Sequence, residues 1–221
     1  MSDAQRFWRQ LDIVDSDKLN IPITIIGAGA IGSFTCLALA KMGCSNITVY
    51  DIDKIEDYNL PNQFYRESDV GKLKVNGLYD LIKDFTGVKI NIKNEKYKKQ
   101  NVEGIVISAV DNMETRKDLW KKVEYNPQVK LFVDGRMGAE VMRIYTVKPH
   151  DIDEVKIFED NLYTDKEAAE EKCTEKAIIY NVTVIGGLIA SNIKKYVMDQ
   201  KYIKEIIFDL KNLYLLASET K

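Results

Sequence analysis

The stretch from Ile21 to Asp51 limits what this chain can become more than any other. Ile21-Pro22-Ile23-Thr24-Ile25-Ile26 runs into Gly27-Ala28-Gly29-Ala30-Ile31-Gly32, a helical pattern follows to Met42, and Asn46-Ile47-Thr48-Val49-Tyr50 ends on Asp51. The first run suits a strand of a parallel sheet, covered on both faces, because β-branched residues fit a pleated surface. Gly27 and Gly29 can take backbone angles closed to other residues, so the chain turns tightly and a phosphate can approach main-chain N–H groups without meeting a Cβ. Gly32 lets the helix lie close on the strand. The helix starting near Ala30 offers unpaired N–H donors and about half a positive charge to an anion, and Gly43 fits its C-cap. Asp51 falls about 20 residues past the glycines at the end of the second strand, where an acid bonds ribose hydroxyls. Glycines alone would fit a ligand-free turn; strand, turn, helix, strand and acid in this order predict an adenine nucleotide. NAD and FAD sites use the same unit, so the nucleotide stays open.

The rest of the chain bounds the setting. With 221 residues, 45% hydrophobic and 30% charged, it can bury a substantial core as one domain. A net charge of −2 with both signs interspersed argues against a nucleic-acid surface, and the basic run Lys93 to Lys99 reads as a solvated loop. Cys36, Cys44 and Cys173, an odd count with no C-x-x-C spacing, suggest a reducing compartment and no zinc. No stretch approaches the length of a membrane span, and residues 1–6 are no signal peptide, so the expectation is a soluble cytoplasmic protein without a membrane partner. His150 is the only histidine and lies in a loop, which leaves little room for a Ser-His-Asp or Cys-His mechanism. Tyr79 and Lys83 match Tyr-x-x-x-Lys of short-chain dehydrogenases but read as an ordinary helix.

In chain order, residues 1–20 carry a short aromatic and basic helix, Arg6 to Gln10, suited to docking on this chain or a neighbour. Residues 52–70 form a long irregular connection whose aromatics favour order. From Gly71, Val75, Leu78, Leu81, Ile82 and Phe85 make one helical apolar stripe. Lys72 and Lys74 in its first turn oppose the helix dipole, which makes sense beside an anion. Strands are predicted at 88–92 and 104–110; the second delivers Asp111 and Asn112 to the carboxyl edge, where ligands of open α/β sheets bind or where either residue caps the helix at 113–123. A strand at 129–133 ends at Asp134-Gly135-Arg136-Met137-Gly138, and 140–147 is extended. Residues 149–172 read as a polar surface excursion, 177–198 as a helix, and 203–217 as a hairpin. The fold class is therefore α/β: a Rossmann-like mixed sheet, parallel in its nucleotide-binding half, antiparallel toward the C-terminus, with helices on both faces.

These residues resemble the MoeB, ThiF and ubiquitin-activating adenylyltransferases. Arg6-Phe7-Trp8-Arg9-Gln10 is similar to the family's Arg-Tyr-x-Arg-Gln, Gly27 to Gly32 to its nucleotide turn, and Asp51-Ile52-Asp53 to its Asp-x-Asp. Asn59-Leu60-Pro61-Asn62-Gln63 resembles Asn-Leu-x-Arg-Gln, Asp69-Val70-Gly71-Lys72-Leu73-Lys74 the Asp-Val-Gly-x-x-Lys helix start, and Asp111-Asn112 with Arg116 the Asp-Asn-x-x-x-Arg segment. The likeness covers nearly the whole chain as a single adenylation domain: an arm at 1–20, a nucleotide-binding core at 21–134, and strands, crossover loop and helix at 135–221.

The resemblance implies ATP- and magnesium-dependent adenylation of the C-terminal carboxylate of a ubiquitin-like or sulfur-carrier protein by a homodimer. Gly27, Gly29, Ala30, Gly32, Asp51, Asp53, Asn59, Gln63, Lys74 and Asn112 would bind the nucleotide. Asp111 would hold magnesium, Lys74 the phosphates, and Arg9 would reach the neighbouring subunit's phosphates. The family's arginine in Asn-Leu-x-Arg-Gln is Asn62 here, a loss that Arg66 or Arg136 would have to offset, and the paired zinc-binding C-x-x-C motifs of several relatives are absent. Cys173-Thr174 lies roughly where thioester-forming members place Cys-Thr, so Cys173 is a candidate nucleophile, with a surface or interface cysteine as the other reading. Two rival functions stand beside adenylation: a nucleotide-binding adaptor without catalysis, and a nicotinamide oxidoreductase.

Overall fold

A computed structural model describes residues 6–98, 102–163 and 177–219. Eight strands form one sheet: β1 (Ile23–Ile26), β2 (Ile47–Tyr50), β3 (Asn91–Lys93), β4 (Gly104–Ser108), β5 (Val129–Gly138), β6 (Val141–Val147), β7 (Ile203–Asp209) and β8 (Tyr214–Glu219). Their spatial order is β3-β2-β1-β4-β5-β6-β7-β8. Pairing is parallel from β3 to β5 and antiparallel from β5 to β8, the mixed sheet expected from the sequence.

Alternation along the strands assigns the helices to faces. Ile23, Ile25, Val49, Ile105, Ile107 and Val133 share one core with α1 (Ala30–Met42), α2 (Lys74–Thr86) and α5 (Ile179–Val197). Ile26, Val106, Phe132 and Tyr145 face the other way, onto Trp120 of α3 (Met113–Val123) and Phe158 of α4 (Ile152–Glu159). Phe158 is fully buried, with the rings of Trp120, Phe132 and Tyr145 around it. Two helices end on glycine: Gly43, as the sequence predicts, and Gly87 take left-handed φ values of 119° and 76° and close the C-termini of α1 and α2.

The arm docks on those two ends. Arg6 Nη1 donates to Thr86 O at 2.7 Å and Gln10 Nε2 to Met42 O at 2.5 Å, satisfying carbonyls that a helix C-terminus leaves bare.

Four expectations shift. β5 continues through Gly135 to Gly138 because β6 folds back to pair with it, Arg136 opposite Arg143. The polar excursion contains α4, started by Asp151, whose carboxylate accepts from Asp153 N and Glu154 N. The third strand lies at 91–93. Phe85 is half exposed and packs at the surface on Phe64. None of the described helices is long and apolar enough to cross a membrane.

Candidate functional site

Strand order reverses at β1, which lies between β2 and β4, and a crevice opens there at the carboxyl ends of the strands. A cleft of about 820 Å³ occupies this position, lined among others by Gly29, Asp51, Lys74, Asp111, Arg116 and Arg136. Loops after four different strands thus bring together residues far apart in sequence.

The three glycines have different jobs. At Gly27, with φ of 99°, a Cβ would lie 2.4 Å from Ala109 O, so the turn passes hard against the end of β4. At Gly32 a Cβ would lie 1.9 Å from Gly27 O, which makes this residue a packing contact; it does not line the cleft. At Gly29, the N-cap of α1, a Cβ would meet only Gln63 Nε2, at 3.9 Å, and otherwise project into open space. The protein's own packing does not require glycine there. That open space leaves the N–H groups of Ala30 and the first turn approachable from the cleft.

Asp51 is fixed by that turn. Its Oδ2 accepts from Ala28 N and its Oδ1 from Asp53 N, each at 2.7 Å, leaving a lone pair on each oxygen for a hydroxyl donor. Lys74 is buried at the start of α2, and its ammonium lies 3.0 Å from the exposed Asp53 carboxylate. The cation that opposes the helix dipole is therefore held by an anion, as its placement suggested. Asp111 stands exposed after β4 and accepts from Asn112 Nδ2 at 3.0 Å, while Asn112 Oδ1 caps α3 by accepting from Thr115 N at 2.8 Å. Asn112 borders the cleft but its side chain is engaged by the cap and by Asp111.

Asn59 is buried away from the cleft, its Oδ1 accepting from Glu56 N, so it shapes the 56–60 turn. Gln63 does line the cleft, and its buried Oε1 has no hydrogen-bond partner among the described residues. Tyr65, which the sequence reading passed over, ties the site together: its hydroxyl bonds Ala28 O at 2.6 Å and Lys74 O at 3.3 Å, bracing the glycine turn against α2. Burial raises the Tyr65 phenol well above its ordinary pKa, aided by the Asp51 carboxylate, so it stays a donor. Ser33 Oγ adds a second tie by accepting from Phe64 N.

The opposite wall is cationic. Asp134 is wholly buried between Arg116 Nε at 2.7 Å and Arg136 Nε at 2.6 Å. Burial alone would raise the Asp134 pKa, but the two guanidiniums outweigh it and hold the carboxyl below its usual range. Arg136 also donates from Nη1 to Asn161 O at 2.8 Å and stacks over the rings of Tyr145 and Tyr163. The sequence marks Arg116 and Arg136 singly but not their sharing of Asp134, because Arg116 and Asp134 meet only through the packing of α3 on β5.

Asn62, where the family has arginine, donates from Nδ2 to Ala177 O at 3.3 Å. Arg66 is committed elsewhere, to Asp69 and Asp84, and is not part of the cleft wall. Arg9 lies exposed beside the Trp8 ring. The α1 and α2 C-termini that hold its arm sit at the amino-terminal edge of the parallel strands, the edge opposite the cleft. Cys173 lies outside the described residues; Cys36 and Cys44 are buried, and burial raises both thiols, Cys44 to about 12, so they are inert core residues. Among the described residues no three of His, Cys, Asp and Glu gather as a metal cage.

The ThiF family profile matches residues 5–217. The chain belongs to the ThiF family. A probable molybdopterin-synthase adenylyltransferase of Gracilaria tenuistipitata var. liui is 33% identical over 118 residues, covering 50% of this chain and 33% of that protein. The NEDD8-activating enzyme E1 catalytic subunit of Dictyostelium discoideum is 34% identical over 115 residues, covering 48% of this chain and 26% of that protein. The matched stretches thus span a third or less of these relatives' lengths. Across the fold, the crystal structure of E. coli MccB with ATP superposes with a TM-score of 0.74 at 16% identity, covering 96% of this chain and 70% of that one.

Proposed function

We propose that this ThiF-family chain adenylates the C-terminal carboxylate of a small ubiquitin-like or sulfur-carrier protein with ATP and magnesium. The observation that carries this reading is Gly29, a glycine beside which a Cβ would find open space, lining the same cleft as the carboxylates of Asp51 and Asp111. Relatives named as adenylyltransferases and activating enzymes support it.

Asp51, oriented by Ala28 N and Asp53 N, would take the ribose hydroxyls. The N–H groups at the start of α1 would take phosphate oxygens, and Lys74 would exchange its exposed partner Asp53 for them. One exposed carboxylate, Asp111, fits magnesium, which commonly binds one or two carboxylates plus substrate phosphates and water; bound there, the ion would neutralise phosphate charge. A substrate carboxylate oxygen then forms a bond to the α-phosphorus as the bond to pyrophosphate breaks, and pyrophosphate departs with the electron pair. The cleft contributes positioning and positive charge to this step. Because the arm docks at the edge opposite the cleft, Arg9 can reach nucleotide only in a second copy, so we read the active form as a homodimer, with the cytoplasm its expected location and neither nucleic acid nor membrane as partner. Cys173 keeps its two sequence readings, nucleophile or interface cysteine.

The test is pyrophosphate exchange into ATP in the presence of a small protein ending in Gly-Gly encoded beside this chain. Exchange that disappears in Asp111→Ala is expected; no exchange with any such protein would overturn the reading. Asn62 favours one second reading, a nucleotide-binding adaptor, since its amide engages Ala177 O and brings no charge. Tight ATP binding without turnover, unchanged in Asn62→Arg, would select the adaptor.

A further inference from the structure

Two cations share one carboxylate on the cleft wall. Arg116 and Arg136 both bond Asp134, which leaves one positive charge in excess in a group whose members are each less than a tenth exposed. Arg116 also donates from Nη2 to Val110 O at 2.8 Å. In Arg136, Nε and Nη1 are bonded, but Nη2 is buried with no acceptor among the described residues, although the side chain borders the cleft. Among the described residues Arg136 pairs with no carboxylate other than Asp134.

A buried, uncompensated charge with an unmade hydrogen bond is costly unless an anion completes it. Three features make Arg136 a preset receptor for such an anion. Its ring stack on Tyr145 and Tyr163 fixes the plane of the guanidinium. Asp134 and Asn161 O fix its rotation within that plane. Nη2 is the nitrogen left over, and a guanidinium N–H makes a strong charge-assisted bond to a phosphoryl oxygen.

We infer that Arg136 binds a phosphoryl oxygen in the cleft, as a ligand-contacting residue additional to Lys74 and the α1 N-terminus. This inference rests on the proposed function for the identity of the anion, either the nucleotide's α-phosphate or the departing pyrophosphate; the unsatisfied donor itself stands without it.

Calorimetric titrations of wild type, Arg136→Met and Arg136→Lys with adenosine, AMP and inorganic pyrophosphate test it. Arg136→Met leaves Arg116 and Asp134 as a balanced pair, and unchanged adenosine affinity reports an intact base and ribose site. Loss of one charge-assisted bond should weaken AMP or pyrophosphate about tenfold or more in Arg136→Met, with Arg136→Lys between it and wild type. Weakened AMP assigns the α-phosphate; weakened pyrophosphate alone assigns the leaving group. Equal binding of both anions by all three proteins, even with a lowered melting temperature, reduces Arg136 to a structural brace and overturns the inference while leaving adenylation standing. Pyrophosphate bound through Arg136 by a chain that ignores adenosine and AMP would do the reverse.

Discussion

At the scale of single residues, the glycine turn separates two requirements that the sequence motif runs together. Gly32→Ala drives a Cβ into Gly27 O, a backbone atom that cannot step aside, so it should lower the melting temperature sharply. Gly29→Ala has room for its methyl and should melt within a few degrees of wild type yet bind AMP at least about tenfold more weakly. Thermal denaturation and titration of the two variants check this, and equal behaviour would contradict the division. The positions of Gly27, Gly29, Asp51 and Asp111 at the carboxyl edge of the sheet were legible in the sequence because each follows a strand. The role of Tyr65 was not, and for Arg136, named only as a stand-in for the missing arginine, the partners were not. Their partners, Ala28 O and Asp134 with Asn161 O, are chosen by how a connection folds over α1 and by where β5 extends.

At the scale of elements, the connection before α2 is stapled by one carboxylate. Asp69 is buried, accepts from Lys72 Nζ at 2.8 Å and from Arg66 Nε at 3.1 Å, and closes the short turn whose last residue it is. Burial alone would raise its pKa; the bonds from Lys72 and Arg66 reverse that and lower it. A lowered folded-state value means that Asp69 contributes stability above the ordinary Asp range and loses it as pH falls through the lowered value. Chemical denaturation of wild type and Asp69→Asn should therefore show a stability difference at about pH 7 that shrinks toward about pH 3; a constant difference would refute the ionic contribution. The elements misjudged from sequence have physical explanations. Gly135 and Gly138 looked like the end of β5, yet Gly135 faces Ile31 and Ile189 so closely that a Cβ would sit 3.1 Å from each, and the strand continues through it. The segment holding α4 is mostly polar because one buried ring, Phe158, anchors much of it while Ile152 is exposed.

At the scale of the whole molecule, two cores lie on opposite faces of one sheet, and β4 and β5 contribute alternate residues to both. Neither core can melt alone without unpairing strands the other needs. Far-UV circular dichroism and the fluorescence of buried Trp120, recorded in a Trp8→Phe background, should trace coincident transitions. Phe158→Ala should shift both together by about 3–5 kcal/mol. Separate transitions would show two cooperative units. The mixed pairing was readable in outline, since a βαβ unit enforces parallel neighbours and short connections enforce antiparallel ones.

β5 has one more consequence, in mechanical language. Phe132, Val133 and Asp134 are hydrogen-bonded on one side to the parallel half and on the other to the antiparallel half, so β5 is the splice through which load passes between them. Arg136 follows two residues later on the same strand. A pull on β6 to β8 is delivered, by covalent continuity, to the cationic wall of the cleft, which makes this strand the natural lever arm between outer sheet and cleft.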